Sequence, residues 1–246
     1  CGARLTSNYI RIGGLMCDLP EDFDDDLKAT YPKLDSLFED VDKLLTKNRI
    51  FLDRMRDTGM ISTKDAISFG FTGPCLRACG VDYDVRKAHP YLVYDKIDFD
   101  IPIGTTGDNF DRYLVRMEEI KQSLTIVKQA MKDMPDGPVQ VDNPFLRNPS
   151  KTDVYTRMEE MIAHFKLVID GIKPPVGEIY FPTEAANGEL GFYLVSDGSG
   201  KPYKCRVRPP CFALTSAMDH IIKGEMLADI IPTFDMINMI GGECDR

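Results

Sequence analysis

The chain is poor in the groups from which most catalytic and metal centres are built. Only three histidines occur in 246 residues, and no CxxC or HExxH pair offers the spacing a zinc ligand set needs. No nucleophile elbow is present. The one phosphate-loop-like run, GSGK at 198–201, lacks the first-glycine spacing and the Ser/Thr after lysine. Apolar runs of bilayer-spanning length and a signal-peptide pattern are also missing, so a soluble or peripheral chain is expected. Seven cysteines, an odd number without framework spacing, predict free thiols and not a disulfide scaffold. Cys75 and Cys79, four apart with no further ligands near, predict buried thiols. A net charge of −9 excludes general nucleic-acid binding, which needs a phosphate-neutralising surface.

What is present is most legible between Gly188 and Pro210. Leu190 to Val195 and Lys204 to Arg208 alternate as strands, and Asp197-Gly198-Ser199-Gly200 reads as the reversal between them. Cys205 and Val207 fall on one face, with Lys204, Arg206 and Arg208 on the other. The pattern alone predicts a surface hairpin with solvated charges, ended by Pro209-Pro210. Gly177 to Glu184 supplies a preceding strand.

Residues 1–20 read as loop or short extended segments. After the acidic run to Asp26, the residues Leu27, Tyr31, Leu34, Phe38, Val41 and Leu45 recur at helical spacing, with Pro32 expected to kink or restart the helix. A short segment from Asn48 is closed by Gly59. Residues 60–107 are interrupted by glycine and proline throughout and predict an irregular stretch, functional or packed against a partner. Asp108 to Met134 is the strongest helix. Its stripe of Phe110, Tyr113, Leu114, Met117, Ile120, Leu124, Val127 and Met131 would contribute about 10–20 kcal/mol before entropy if mostly buried. Its charges, Asp111, Arg112, Arg116, Glu118 and Glu119, read as exposed ion pairs.

Ser150 with Asp153 predicts the cap of a second long helix carrying Val154, Met158, Met161, Ile162, Phe165, Val168 and Ile169 on one face. His164, beside that stripe, reads as a packing or hydrogen-bonding histidine. A helix from about Thr215 to Lys223 is expected next. The apolar tail after it should pack inside the domain or be covered by another subunit. The residues by themselves imply a soluble α+β protein with an acidic surface.

The segment GELGFYLVSDGSGKPYKCRVRPPCF resembles the diagnostic hairpin of the D subunit of proton-pumping NADH:quinone oxidoreductase, respiratory complex I. That subunit is related to the large subunit of nickel-iron hydrogenases. GARLTSNYIRIGG, LLTKNRIF, the stretch from Gly73 to Leu124, HFKLVIDG and GECDR resemble successive family segments, in order, over essentially the whole chain. The resemblance implies a hydrogenase-large-subunit-like α+β fold: residues 1–175 mainly helical, 176–210 a hairpin region, and 211–246 a C-terminal helix and buried tail. It implies one wall of a cavity for ubiquinone, with NADH, FMN and iron–sulfur clusters held by other subunits and no cofactor or metal bound by this chain.

Implied partners are the terminal iron–sulfur cluster subunit, the 30-kDa-type C subunit and the quinone-channel membrane subunit. The chain looks like the C-terminal part of a longer subunit. Its start at Cys1 and the absence of the family's quinone-binding His and Tyr predict a fragment, a processed product, or a split protein with a separate N-terminal D-like chain. The implied location is the matrix side of the mitochondrial inner membrane, or the cytoplasmic side in a bacterium. Cavity or interface candidates are Arg77, Asp108, Arg112, Asn187, Asn238, Glu243, Asp245 and Arg246. Arg77 or Arg112 is expected to pair with the carboxylates of the tail, leaving Glu243 and Arg246 buried and paired.

Three positions depart from the family pattern: Asn187 where Lys is common, Asn238 where Asp is expected, and Thr106 where Arg is common. These neutral residues keep open a structural or assembly role without a working quinone site. A related membrane-bound hydrogenase-like complex is a further alternative, disfavoured because Cys244 stands alone where that lineage carries a cysteine pair.

Overall fold

The computed structural model describes residues 9–245, so Cys1 and Arg246 lie outside the described residues. Two-residue strands β1 (Ile10–Arg11) and β2 (Gly14–Leu15) pair antiparallel. Helix α1 (Phe23–Leu45) follows as one element with Pro32 inside it, not restarted there. The carbonyl that Pro32 leaves without a donor belongs to Lys28, which is exposed to water. None of the apolar residues of α1 is buried.

Helix α2 (Arg49–Met55) begins at Asn48, whose side chain accepts from Ile50 and Phe51 N–H. The stretch expected to be irregular contains three short helices, α3 (Thr63–Phe69), α4 (Gly73–Ala78) and α5 (Val85–Ala88). Glycine and proline there act as caps. Ser62 accepts from Asp65 N–H at the start of α3, and Gly70 closes it in the left-handed region, φ 79°.

Helix α6 (Asn109–Lys132) is capped by Asp108, which accepts from Asp111 N–H. Its buried residues are Asn109, Phe110, Arg112, Tyr113, Val115 and Ile126, so only two of the eight expected stripe residues are buried. The expected 10–20 kcal/mol is therefore too large. The helix turns a partly polar side inward because Asn109 and Arg112 find partners there.

The second long helix divides at Arg157, whose backbone is extended, into α7 (Lys151–Thr156) and α8 (Met158–Ile169). The Thr156 hydroxyl donates to Thr152 O at 2.8 Å, a local bond that competes with continuing the helix. Ser150 caps α7 as expected. His164 Nδ1 is covered without a hydrogen-bond partner.

Strands β3 (Gly177–Ala185), β4 (Gly188–Ser196) and β5 (Lys204–Arg208) form a sheet in the order β3-β4-β5. The two-residue link from β3 to β4 admits only an antiparallel pair. Pro210 does not merely end the sheet. It opens α9 (Pro210–Ser216), where its fixed φ and missing N–H are tolerated. Then come α10 (Met218–Ile221), a 3-10 turn (Leu227–Asp229), α11 (Ile230–Ile237) and α12 (Gly241–Cys244). Helices with small sheets make the chain α+β.

Two compact units are distinguished. The first comprises residues up to Ala29, Met134–Ile179 and Tyr193–Arg206; the second comprises Thr30–Asp133, Tyr180–Phe192 and Val207 onward. In the second unit, Ile61, Phe71, Leu76, Leu214, Ile221 and Ile237 form one buried cluster. A smaller cluster gathers Met55, Phe110 and Tyr113, with Phe51 edge-on to Tyr113 at 5.0 Å between ring centroids. The glycine- and proline-broken stretch is thus core, packed largely against the C-terminal helices.

Candidate functional site

Most of the polar groups buried in the second unit fall into three networks, apart from Asp229, paired with Arg54, and Thr72, bonded by Arg208. The first is centred on Arg77, in the last turn of α4 and 1% exposed. Its Nε donates to Glu119 Oε1 at 2.8 Å, and its Nη1 donates to Tyr83 O and to Glu184 Oε1, each at 3.0 Å. Asp84 lies 3.5 Å from the same Nη1 and is also held by Arg86 Nη2 at 2.6 Å. Two guanidinium groups therefore face three carboxylates. Burial pulls the Asp84 carboxyl upward, but bonds from Arg86 and the charge of Arg77 outweigh it and hold Asp84 below its usual value. For Glu184, burial wins over the attraction of Arg77 and raises it.

The second network lies at the start of α6. Asp108 accepts from the N–H of Asp57 at 3.0 Å and of Asp111 at 2.7 Å. Asn109 Nδ2 donates to Thr233 Oγ1 of α11 at 2.9 Å and to Thr58 Oγ1 at 3.2 Å, and its Oδ1 accepts from Arg112 Nη1 at 2.7 Å. Arg112 Nη2 donates to Gly107 O at 3.0 Å. Burial lowers the Arg112 guanidinium from its ordinary value, more than the nearby Cys75, Cys79 and Asp108 restore it. Arg116 donates to Arg112 O and approaches Cys75 Sγ at 3.5 Å.

The third network joins the β3–β4 link to the tail. Asn238, in the left-handed region at φ 59°, donates from Nδ2 to Asn187 Oδ1 at 2.5 Å, and Asn187 Nδ2 returns a bond to Asn238 O at 3.0 Å. Asn187 is buried and also donates to Cys211 Sγ at 3.1 Å. Glu243 accepts from Cys211 N–H at 3.1 Å. The two positions that the resemblance gives as Lys and Asp thus touch one another, as a reciprocal amide pair.

Of the expected residues, Asn187, Asn238 and Glu243 come together, and Asp108 and Arg112 share a second network. Arg77 belongs to neither. Among the described residues, the expected pairing of Arg77 or Arg112 with the tail carboxylates Glu243 and Asp245 is corrected, because Arg77 bonds Glu119, Tyr83 and Glu184, and Arg112 bonds Asn109 and Gly107. Glu243 is half-buried and Asp245 exposed; Arg246 lies outside the described residues. Thr106, the third departure, is exposed, and its N–H donates to Asp111 Oδ2 at 2.6 Å.

Of the charges on α6 read as exposed ion pairs, Glu118 does pair with Lys121 at the surface, at 2.8 Å, but Arg112 and Glu119 do not fit that reading. Arg112 is fully buried, and Glu119 is a principal partner of Arg77. Arg208, read as a surface charge, donates to Thr72 Oγ1 at 3.0 Å, Glu189 O at 2.6 Å and Gly70 O at 2.7 Å. Sequence reasoning missed Asn109, Glu119 and Glu184. Their only signal was a polar residue on the inward side of an amphipathic element.

Among the described residues, Cys17, Cys75, Cys79, Cys205, Cys211 and Cys244 are free thiols, and no group of three or more metal-ligating side chains could hold an ion. Burial pushes the Cys79 thiol up to about 11, and burial together with the Glu243 carboxylate pushes Cys211 up to about 11. Both stay neutral at pH 8, whereas Cys17 and Cys205 are exposed. Timed alkylation at pH 8 should modify Cys17 and Cys205 at least tenfold faster than Cys79 and Cys211. The raised values make the thiol contribution to stability complete below the unfolded pKa of about 8.5, with loss as pH rises toward 11. Equal labelling rates at all four would contradict the burial of Cys79 and Cys211.

The fold and these networks define an α+β protein whose buried polar residues tie its helices to one another and to the β3–β4 strands. The chain belongs to the family of the respiratory-chain NADH dehydrogenase 49 kDa subunit, which matches residues 1–246. It is similar to the NADH-quinone oxidoreductase D subunit of Myxococcus xanthus, with 56% identity over 245 residues covering 100% of this chain and 59% of that protein. A D-type subunit of the same oxidoreductase from Sorangium cellulosum is 53% identical over 246 residues, covering 100% of this chain and 61% of that protein. The combined C/D subunit of Bdellovibrio bacteriovorus is 49% identical over the whole chain, which spans 44% of it. The chain therefore spans about three-fifths of the length of the two D relatives. These relatives are bacterial and do not favour the mitochondrial location.

Proposed function

We propose that the chain is part of the quinone-reduction module of a proton-pumping NADH:quinone oxidoreductase. In this reading it forms one wall of the quinone cavity beside the subunit that bears the terminal iron–sulfur cluster. The observation that carries the reading is the family match over every residue of the chain. Its hydrogenase-large-subunit-like arrangement is part of the same proposal. So are the 30-kDa-type C subunit and the quinone-channel membrane subunit as partners, and NADH, FMN and iron–sulfur clusters in other subunits. A peripheral position is in keeping with the described residues, of which no helix is long and apolar enough to cross a membrane.

The tail network of Asn187, Asn238 and Glu243 is the part of the chain assigned to the cavity, with Asp245 and Arg246 following Glu243 in the sequence as further candidates. Arg77, Asp108 and Arg112 act behind it by fixing α4 and α6. A structural reading without quinone chemistry is favoured by one observation. The Asn187–Asn238 amide pair replaces the expected charges with groups that satisfy one another and offer a quinone little.

Glu243→Gln separates the two readings. It keeps an oxygen to accept the Cys211 N–H while removing the charge. In the assembled complex, quinone reductase activity per complex should fall roughly tenfold, equivalent to about 1.4 kcal/mol in the barrier, at unchanged complex abundance. Loss of abundance instead supports the structural reading. No change in either removes the tail from the site.

A further inference from the structure

Every residue that is buried among the described residues lies in the second unit, and none lies in the first. A unit without a buried side chain has too little hydrophobic stabilisation to offset the entropy of ordering its backbone. Its apolar residues are present but turned outward. At about 100° per residue, Met158, Met161, Ile162, Phe165, Val168 and Ile169 form one stripe along α8, about 120° wide. They are 38–72% exposed. The opposite side of α8, with Ala163, His164 and Leu167, is the half-buried one. A helix normally does the reverse and hides its apolar stripe.

Beside α8, two open cavities of about 640 and 430 Å³ share Leu146, Leu167 and Ile172 in their walls. Ile12 and Leu15 line the larger. Leu167 belongs to the half-buried side of α8, so these cavities lie mainly away from the stripe, and Arg147, Lys166 and Asp170 share their walls with the aliphatic residues. The stripe runs about 18 Å, the length of a twelve-residue helix, and so offers a partner helix or strand pair a continuous seam.

We propose that the α8 stripe is the docking face for polypeptide of the kind that makes up the rest of the D relatives, in the same chain or in a separate one. Two facts select this occupant. All of this chain matches the Myxococcus xanthus and Sorangium cellulosum proteins, yet it spans only 59% and 61% of them. The first unit, whose described residues include none that is buried, is also the unit that needs further chain to cover its apolar side. The docking face thus rests on the family reading, and the test keeps the two apart.

The test places a photoreactive benzoylphenylalanine at Phe165 in the assembled complex and identifies the cross-linked peptides by mass spectrometry. The expected product joins Phe165 to peptides that align with the part of the Myxococcus xanthus protein outside the 245 matched residues. Cross-links to a second copy of this chain, to a different subunit or to lipid overturn the proposal, as does no cross-link at all. Co-purification of the chain with the other polypeptides of an NADH-quinone oxidoreductase, measured in the same sample, tests the family reading independently. As a second variant, Phe165→Glu should reduce the abundance of the assembled complex about tenfold, whereas Glu160→Lys on the other side should not. Equal abundance with both variants also overturns it.

Discussion

Replacing Arg77 by Ala should destabilise the second unit by about 3–5 kcal/mol, the cost of removing one partner from a buried ion-pair network. The guanidinium holds Glu119 of α6, Glu184 of β3 and the Tyr83 carbonyl with geometrically good bonds. Without it, Asp84 and Glu184 keep only Arg86 nearby, and Glu119 loses its main cation. Burial of these carboxylates then has no compensation.

Lys at 77 should recover little of the loss, because one ammonium cannot reproduce donors aimed at three elements. Met should recover more than Ala only if the carboxylates protonate, so its deficit should shrink as pH falls. Urea unfolding of the purified chain and the abundance of the assembled complex are the two measurements. A loss below about 1 kcal/mol would place the group among ordinary surface pairs and refute the network's role.

Gly73→Ala should cost about 3 kcal/mol or more, a size reserved for steric and core defects. Gly73 has φ +63°, and a Cβ on it would stand 2.3 Å from Gly188 Cα and 2.7 Å from Gly188 N. A Cβ on Gly188 would likewise stand 2.5 Å from Thr72 Oγ1 and 2.8 Å from the Thr72 carbonyl carbon. Neither backbone can retreat without breaking Arg208 away from Thr72, Glu189 and Gly70. Gly241, where an added Cβ meets nothing within 4 Å, provides the control. Gly241→Ala should stay within about 0.5 kcal/mol of the parent. Thermal unfolding of the three proteins side by side decides the matter, and similar midpoints for all three would sink the close-contact account.

Local signals were sufficient for much of the chain. The cap at Ser150, the strands from Gly177 to Arg208 and the reach of α6 are encoded within a few residues of where they act. The ordered succession of family-like segments was legible for the same reason, since it needs no spatial information. Long-range pairing was not. Gly73 reads as a helix breaker, yet its requirement comes from a strand more than a hundred positions later. Arg112 and Glu119 look like any charged pair on an amphipathic helix, because the spacing on α6 says nothing of what Thr233, Gly107 or Arg77 offer across the fold.

The direction of an apolar stripe was equally beyond the sequence. The stripes of α1 and α8 are as regular as that of α6, but only packing decides which stripe finds a core. Hydrophobic periodicity states that a face must be covered; which surface covers it is set by chain brought from far away. Composition, periodicity and motif order thus determined the class, the longer elements and the family, but not α3, α4 and α5 or the division at Arg157. Tertiary structure alone decided that Asn187 meets Asn238, that Arg77 closes on three carboxylates, and that α8 turns its apolar side outward, because each depends on groups distant in sequence sharing one small, dehydrated space.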